Sequence, residues 1–245
     1  MPKSIHDKLY EIAKSELRAA KILTKNGSYP QAIYFYAQAF EKAAKSAIAL
    51  YFISYEKKSE SQTSRELKNN YSHGLLKLTS FGSKIFVDSG IKSYVKRGGQ
   101  INDEEIQIAI KASSIPHLET LRSDKLELIS NYEGSVRACH RLYTKLKEKP
   151  FLGSERPEME LLRELYKNPN SKHIKFNTLT RILFPILEGM DVYTRYPMED
   201  IGYNNIAFLR QPEVRGACLL LGEMVGELIS LVPLVWEKIE SLETS

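Results

Sequence analysis

The segment 27–55 constrains the fold more than any other part of the chain. Small and apolar residues recur in it at steps of three and four, which is the spacing of a helix with a wide buried face. They are Ala32, Ile33, Tyr36, Ala39, Phe40, Ala43, Ala47 and Leu50. Glu41 and Lys45 are spaced to form an ion pair across one helical turn. The sequence therefore predicts a core helix of an all-α domain.

A second helix is predicted before this segment, so that the two form an antiparallel hairpin. It runs from Ser4, its expected N-cap, to Thr24, and Asn26-Gly27 ends it because glycine is favoured just past a helix C-terminus. Ser28 and Gln31 have the spacing of a capping box at the start of the core helix.

Helical patterns continue to the end of the chain, and none of its segments has the period of a strand. Further helices are expected to start near Tyr71, to run from Ser114-Ile115-Pro116 to about Lys147, to start at an Asn177 cap, and to run from about Pro212 toward Leu242. The polar stretch 56–70 lacks an apolar period, which predicts a surface loop.

Composition indicates a soluble, cytoplasmic protein. The net charge of +5 is compatible with an anionic partner but does not require nucleic acid. Cys139 and Cys218 lie far apart in helical patterns, so we expect buried thiols in a reducing compartment. The apolar run Ala217–Trp236 contains Glu223 and Glu227, which favours a buried helix over a membrane span.

The sequence lacks the motifs of several enzyme classes. It has no CxxC, no HExxH, no glycine-rich phosphate loop and no GxSxG. We therefore expect neither a metal site nor a cofactor.

Three motifs in a fixed order resemble the HEPN domain family. The first combines Gly27-Ser28-Tyr29, Ala32 and the stretch Gln38–Lys45; it is similar to the family's second helix. The second is Tyr71–Leu76, similar to the start of the third helix, and the last is Tyr193–Pro197, similar to the arginine-tyrosine-proline signature before the final helix. The resemblance implies a bundle of four or five helices, commonly a dimer, with a groove for nucleotides or RNA.

The resemblance also predicts how the chain is divided. His73 and Arg195 are 122 positions apart, more than the compact family layout needs. We expect a single HEPN-like domain over residues 1–245, with a core of 1–90 and 178–245 and a helical insertion at 91–177. A tetratricopeptide array would need at least three similar units with a period of about 34 residues, and the sequence has one such segment.

Catalytic HEPN members are metal-independent ribonucleases with an arginine followed by four to six residues and then a histidine. None of the five histidines of this chain follows an arginine at that spacing. The leading hypothesis is therefore a non-catalytic protein. The enzyme alternative is a divergent ribonuclease that uses His73 or His140 with Arg137 or Arg195, since histidine can move a proton near neutral pH and arginine can bind phosphate.

Arg137 and His140 share one helix face with Arg141 and Lys145. This face is a candidate phosphate-binding surface, and the alternative is a solvated face with local ion pairs, such as Glu133 with Arg137.

Three further groups are candidate ligand sites. Arg195 and Tyr196 suit an anionic ligand beside a helix end, or else they hold the turn between the last two helices. His73 is a second candidate near a helix start, with a cap or a buried hydrogen-bonding residue as its alternative role.

The third candidate ligand site is the most basic short stretch of the chain. Lys96 and Arg97, with Lys84, Lys92 and Tyr94, suit single-stranded nucleic acid or a solvated helix face.

The hypothesis for the whole chain follows from these residues and from the resemblance. It is a non-catalytic binding or regulatory homodimer for a nucleotide, RNA or a nucleotidyltransferase-type partner, in a defence or toxin–antitoxin setting. The alternatives are the divergent ribonuclease and a purely structural interaction protein.

Overall fold

The computed structural model describes residues 3–71, 131–148, 172–188, 190, 194, 212 and 214–243, and over these residues it contains helices and no strand. Their α-helices are α1 (Ile5–Lys25), α2 (Tyr29–Leu50), α3 (Glu60–Asn70), α4 (Tyr132–Glu148), α5 (Lys172–Leu187) and α6 (Val214–Glu243). A π-helical turn, Tyr51–Tyr55, continues α2. The predicted all-α class is confirmed.

Helix α1 begins after Ser4, as predicted. The Ser4 Oγ atom accepts a hydrogen bond from the Asp7 amide at 3.4 Å, and the Asp7 carboxylate accepts one from the Ser4 amide at 3.2 Å. This capping box satisfies two amides that have no partner inside the helix. Gly27 has a φ of +74°, a left-handed conformation that glycine adopts without strain, and α1 ends just before it.

The capping box predicted between Ser28 and Gln31 is wrong. Ser28 precedes α2, but its side chain makes no capping hydrogen bond because its backbone, with a ψ of 64°, is not in the extended conformation usual for an N-cap. Its carbonyl instead accepts a hydrogen bond from the Ala32 amide at 2.9 Å. Pro30, in the first turn of α2, has no amide to satisfy.

Helix α2 lies at the centre of the fold. It packs against α1, α3, α5 and α6, and most of its side chains are buried. Its many alanines allow neighbouring helices to approach closely, as the apolar pattern predicts.

Helix α6 is the other long core element, and it contacts α1, α2, α4 and α5. Its segment Val214–Glu240 is long and apolar enough to cross a membrane, but more than half (56%) of its most apolar window is buried inside the protein. A core helix has the same composition, so this segment does not indicate a membrane protein.

Helix α3 corrects the prediction of a surface loop at 56–70. Ser59 caps it in a capping box with Gln62. Thr63 and Leu67 are buried one turn apart, whereas their neighbours are polar and exposed. Two buried positions hold this helix against the core, which is too few to produce a visible apolar period.

Helix α4 lies inside the predicted insertion, yet part of it belongs to the core. Tyr132, Val136, Cys139 and Tyr143 are buried, and the Tyr132 hydroxyl donates a hydrogen bond to the Ile186 carbonyl at 3.0 Å. These contacts join α4 to α5 and α6. The division into core and insertion stays a prediction.

The prediction of one continuous helix from 114 to 147 is wrong, because residue 131 is not helical. Asn131 lies in a turn, and its carbonyl accepts a hydrogen bond from the Ser135 amide at 3.0 Å, so α4 starts at Tyr132. Asparagine is one of the residues favoured at the position just before the first helical residue. The part of the predicted helix before residue 131 lies outside the described residues.

The start of α5 also differs from the prediction. Helix α5 begins at Lys172, and Asn177, expected to be its cap, is buried within it. The apolar period begins only after the polar first turn of α5, so the sequence places the start of the helix too late. Helix α6 begins at Val214, near Pro212 as predicted.

Candidate functional site

A cleft of about 290 Å³ opens where the end of α1, the middle of α2 and α6 meet. Its lining residues are Lys21, Thr24, Lys25, Tyr36, Leu219, Gly222 and Glu223. Two of them are cations, one is an anion and two carry hydroxyl groups. The accessible surface of the cleft is mainly apolar, and these charged and hydroxyl groups lie around it.

Two of the lining residues, Thr24 and Tyr36, have their hydroxyl groups in contact with each other. Thr24 Oγ1 donates a hydrogen bond to the Ala20 carbonyl at 2.9 Å, and it lies 3.2 Å from the Tyr36 hydroxyl. The single hydroxyl hydrogen of Thr24 points to the Ala20 carbonyl. The Tyr36 hydroxyl is therefore the donor to Thr24 Oγ1. Burial raises the pKa of Tyr36 to about 12, so the phenol stays neutral and its oxygen can still accept a hydrogen bond.

Gly222 allows Tyr36 to reach this position. A Cβ atom on Gly222 would lie 2.7 Å from the Tyr36 hydroxyl oxygen, which is closer than a carbon atom can approach without displacement. A Cβ on Gly226, one turn further along α6, would lie 3.7 Å from Lys21 Nζ, an ordinary contact. Gly222 therefore has a specific steric role in the cleft.

Lys21 and Lys25 supply the positive charge. They are one turn apart on α1, both are exposed, and neither takes part in an ion pair among the described residues. Each ammonium group can therefore donate hydrogen bonds to a bound anion.

Glu223 lies on the α6 side of the cleft, and 61% of its side chain is exposed. Its carboxylate is 3.4 Å from His140 Nε2 on α4. The cleft is thus connected through Glu223 to one of the histidines predicted as a weak catalytic candidate.

Comparison with protein families gives a match for the α1–α2 region. Residues 6–95 match the model of the HEPN domain. This segment is similar to the HEPN domain family. The predicted resemblance is thereby confirmed, and a HEPN domain implies a role connected in general with nucleotides or RNA. No curated protein and no solved structure matches the chain.

The cleft spans the matched segment and a later part of the chain. Lys21, Thr24, Lys25 and Tyr36 belong to the matched segment, whereas the α6 residues of the cleft lie outside it. Helix α6 therefore completes a site that the matched segment alone does not form.

Arg137 and His140 are the predicted site residues that the structure describes. They lie on the same face of α4, and Arg137 Nε donates a hydrogen bond to Glu133 Oε1 at 2.7 Å. The sequence predicted this ion pair under the interpretation that this face of α4 is solvated and not a phosphate-binding surface. Of the two residues, only His140 approaches the cleft, through Glu223.

The other predicted site residues cannot be compared with the cleft. His73, Lys96, Arg97, Arg195 and Tyr196 lie outside the described residues. Their roles stay predictions. Within the described part of the chain, no group of three or more His, Cys, Asp or Glu side chains is arranged to hold a metal ion.

The predicted ion pair of the HEPN core helix is present and buried. Lys45 Nζ lies 2.6 Å from Glu41 Oε1, and Lys42 Nζ lies 2.9 Å from the same oxygen. Burial raises the pKa of Glu41, but the charges and hydrogen bonds of the two lysines outweigh it, and the pKa lies below its ordinary value. Burial also lowers the pKa of Lys45 by more than Glu41 raises it.

Sequence patterns alone did not reveal the cleft. Tyr36 has the spacing of a core residue, and it is in fact almost fully buried although it lines the cleft. Lys21 and Lys25 resemble ordinary solvated charges at the end of a helix. A usable signal was Gly222, because a glycine inside an apolar helix often marks a close approach by another group.

Proposed function

We propose that this HEPN-domain protein is a non-catalytic binding or regulatory module, and that its cleft binds a phosphate group of a nucleotide or of RNA. The observation that carries the proposal is the pair Lys21 and Lys25, which line the cleft beside the hydroxyl groups of Thr24 and Tyr36. Lysine ammonium groups bind phosphate as mobile point charges.

The dimensions of the cleft support a ligand about as large as one nucleotide. Its volume of about 290 Å³ lies just below the range of ~300–1,000 Å³ for small-molecule sites. With the phosphate at Lys21 and Lys25, the remaining part of the ligand would contact Leu219 and the oxygen of the Tyr36 hydroxyl. Glu223 would repel the phosphate and so orient it toward the lysines.

The proposal that the protein is non-catalytic rests on the sequence. No histidine follows an arginine at the spacing of the family's ribonucleases. The lining of the cleft also contains no histidine.

One observation favours the ribonuclease as a second candidate. His140 lies 3.4 Å from Glu223, and a carboxylate can orient a histidine that takes up the proton of a ribose 2′-hydroxyl. The 2′-oxygen would attack phosphorus, the bond to the 5′-oxygen would break, and that oxygen would take up a proton as it leaves. The lysines of the cleft would bind the phosphate.

The biological setting is part of the proposal and is supported by the family alone. It comprises a cytoplasmic homodimer, a defence or toxin–antitoxin system, and a nucleotidyltransferase-type protein as partner. Light scattering on the purified protein would test the dimer directly.

The experiment that decides between binding and cleavage uses one RNA for both measurements. Purified protein and the variants His140→Ala and His73→Ala are incubated with mixed RNA in a metal chelator, and binding and product formation are followed. We expect salt-dependent binding and intact RNA. Cleavage that either variant abolishes would establish the ribonuclease instead, and wild-type protein that neither binds nor cleaves would favour a purely structural role.

A further inference from the structure

We propose that α3 is a strap that detaches from the core while the rest of the fold stays intact, and that its detachment releases the start of the motif that follows it in the chain. We call residues 57–71, which comprise α3 and its two flanks, the α3 strap. The strap contributes no residue to the cleft, so neither its detachment nor the test below depends on the proposed function.

Little apolar surface holds α3 against the core. Of its eleven residues, Thr63 and Leu67 are buried, and the others are polar or charged side chains that lie at the surface or are half-buried. Leu67 is thus the one buried apolar side chain that α3 supplies. Segments with few buried apolar contacts open at a lower free energy than the core does.

The other buried position of α3 opposes docking. Thr63 is 0% exposed, and its hydroxyl oxygen has no hydrogen-bond partner in the part of the chain that the structure describes. A buried hydroxyl without a partner has lost its hydration and gained nothing in exchange. Water can hydrate this group once α3 leaves the core, which favours the detached state.

The chain enters the strap through a strained residue. Lys57 has a φ of 56°, and among the described residues it is the one non-glycine residue with a positive φ. In this left-handed conformation the Cβ atom crowds the backbone. Detachment allows Lys57 to return to an ordinary conformation, so the strain also favours the detached state.

Polar contacts near the surface hold the strap in place. Lys58 Nζ lies 3.0 Å from Glu56 Oε2 and 3.6 Å from Glu66 Oε2. The Ile5 amide, at the start of α1, donates a hydrogen bond to Glu60 Oε1 at 3.3 Å. These contacts are exposed or half-exposed, where water and salt weaken them. The docked state is therefore held by interactions that are each weak.

Both flanks of α3 contact Phe52 of the π-helical turn. Lys58 Nζ lies 4.1 Å from the centre of the Phe52 ring, and the centre of the Tyr71 ring lies 6.1 Å from it. Tyr71 is also the first residue of the motif Tyr71–Leu76, which contains His73. Detachment of the strap separates Tyr71 from Phe52 and so releases the start of this motif from the end of α2.

Digestion of the native protein with trypsin tests the detachment. Arg65 lies in the middle of α3 and is exposed, but trypsin cleaves after it only when the helix opens. Lys42 in α2 reports opening of the core. Initial rates at the two sites are measured by mass spectrometry and divided by the rates for the unfolded protein. We expect cleavage after Arg65 to be at least ~10-fold faster than after Lys42. Equal rates would overturn the proposal, because α3 would then open only with the whole fold.

Two substitutions in α3 should change this rate in opposite directions. Thr63→Val removes the buried hydroxyl and keeps the shape of the side chain, so cleavage after Arg65 should slow by ~10-fold. Leu67→Ala should speed this cleavage by at least ~10-fold and leave the rate after Lys42 unchanged. Thr144→Val, at an exposed position of α4, is the control and should have no effect at Arg65. An unchanged or faster rate in Thr63→Val would overturn the proposal.

Hydrogen exchange tests the release of the motif. Amides of residues 72–76 should exchange faster in Leu67→Ala than in the wild-type protein and more slowly in Thr63→Val, in step with cleavage after Arg65. The control Thr144→Val should exchange as the wild-type protein does. Exchange at 72–76 that is the same in all four proteins would show that detachment of α3 does not affect the motif.

Discussion

The Tyr36 hydroxyl lies 3.2 Å from Thr24 Oγ1, and this contact joins α1 to α2 beside the cleft. Tyr36 is otherwise a core residue, with 1% of its surface exposed. The same side chain thus packs the core and lines the cleft. A substitution at this position is therefore expected to change the stability of the protein.

Tyr36→Phe removes the hydrogen bond but keeps the ring. We expect the free energy of unfolding to fall by about 1 kcal/mol, the net contribution of a typical hydrogen bond, because Thr24 keeps its bond to the Ala20 carbonyl. Urea denaturation measures this change. Tyr29→Phe is the control, since no hydrogen bond of the Tyr29 hydroxyl occurs among the described residues; equal losses in the two variants would contradict the role assigned to Tyr36.

Two glycine substitutions on α6 should have opposite effects. Gly222→Ala would place a Cβ atom 2.7 Å from the buried Tyr36 hydroxyl, so overpacking of ~1–3 kcal/mol should exceed the helix propensity gained. Gly226→Ala meets only ordinary contacts and should stabilise the protein by up to ~1 kcal/mol. Thermal unfolding of the two variants compares them directly, and a Gly222→Ala protein as stable as Gly226→Ala would contradict the close contact.

Because of the buried ion pair between Glu41 and Lys45, the free energy of unfolding should depend on pH in the acidic range. Glu41→Gln at neutral pH should destabilise the protein by a few kcal/mol (~3 kcal/mol), because it removes the carboxylate that lies 2.6 Å from the buried ammonium group of Lys45. The folded-state pKa of Glu41 lies below its ordinary value of 4.5, so the contribution of the carboxylate is present above that value and is lost as the pH falls through the folded-state pKa.

Urea denaturation of the wild-type and Glu41→Gln proteins at a series of pH values tests this dependence. The difference between their free energies of unfolding should narrow toward low pH. Glu237→Gln, at an exposed position of α6, is the control and should change little at any pH. A difference for Glu41→Gln that stays constant into acid would show that the charge of Glu41 does not stabilise the fold.

Both cysteines should be unreactive in the native protein. Cys139 and Cys218 are fully buried, and burial raises the pKa of each thiol to about 12. A thiol reagent at mildly alkaline pH should therefore label neither residue until the protein is unfolded in denaturant. Rapid labelling of the native protein would mean that α4 or α6 opens readily.

Features set by neighbouring residues could be predicted from the sequence. The apolar spacing of α2 and the pair of Glu41 with Lys45 depend on contacts within a single helix, and both predictions are confirmed. The Ser4 cap is a local feature of the same kind. Helix α3 was missed because only Thr63 and Leu67 are buried in an otherwise polar segment.

The cleft could not be predicted because its parts are far apart in the chain. The position of the Tyr36 hydroxyl depends on the missing side chain of Gly222 and on the packing of α6 against α2. The chemical character of Lys21 and Lys25 likewise depends on Leu219 and on Glu223, which line the same cleft and come from a distant part of the chain. Local periodicity contains no information on these distances.

Binding of RNA by the double variant Lys21→Gln/Lys25→Gln tests the central claim most directly. We expect its affinity for a short single strand to fall and its logarithmic salt slope to become shallower by about 1.4, or about 0.7 for each lost phosphate contact. A matched variant with two exposed lysines of other segments replaced, Lys8→Gln/Lys68→Gln, should bind as the wild-type protein does. Wild-type affinity and salt slope in Lys21→Gln/Lys25→Gln would contradict the claim that this cleft binds phosphate.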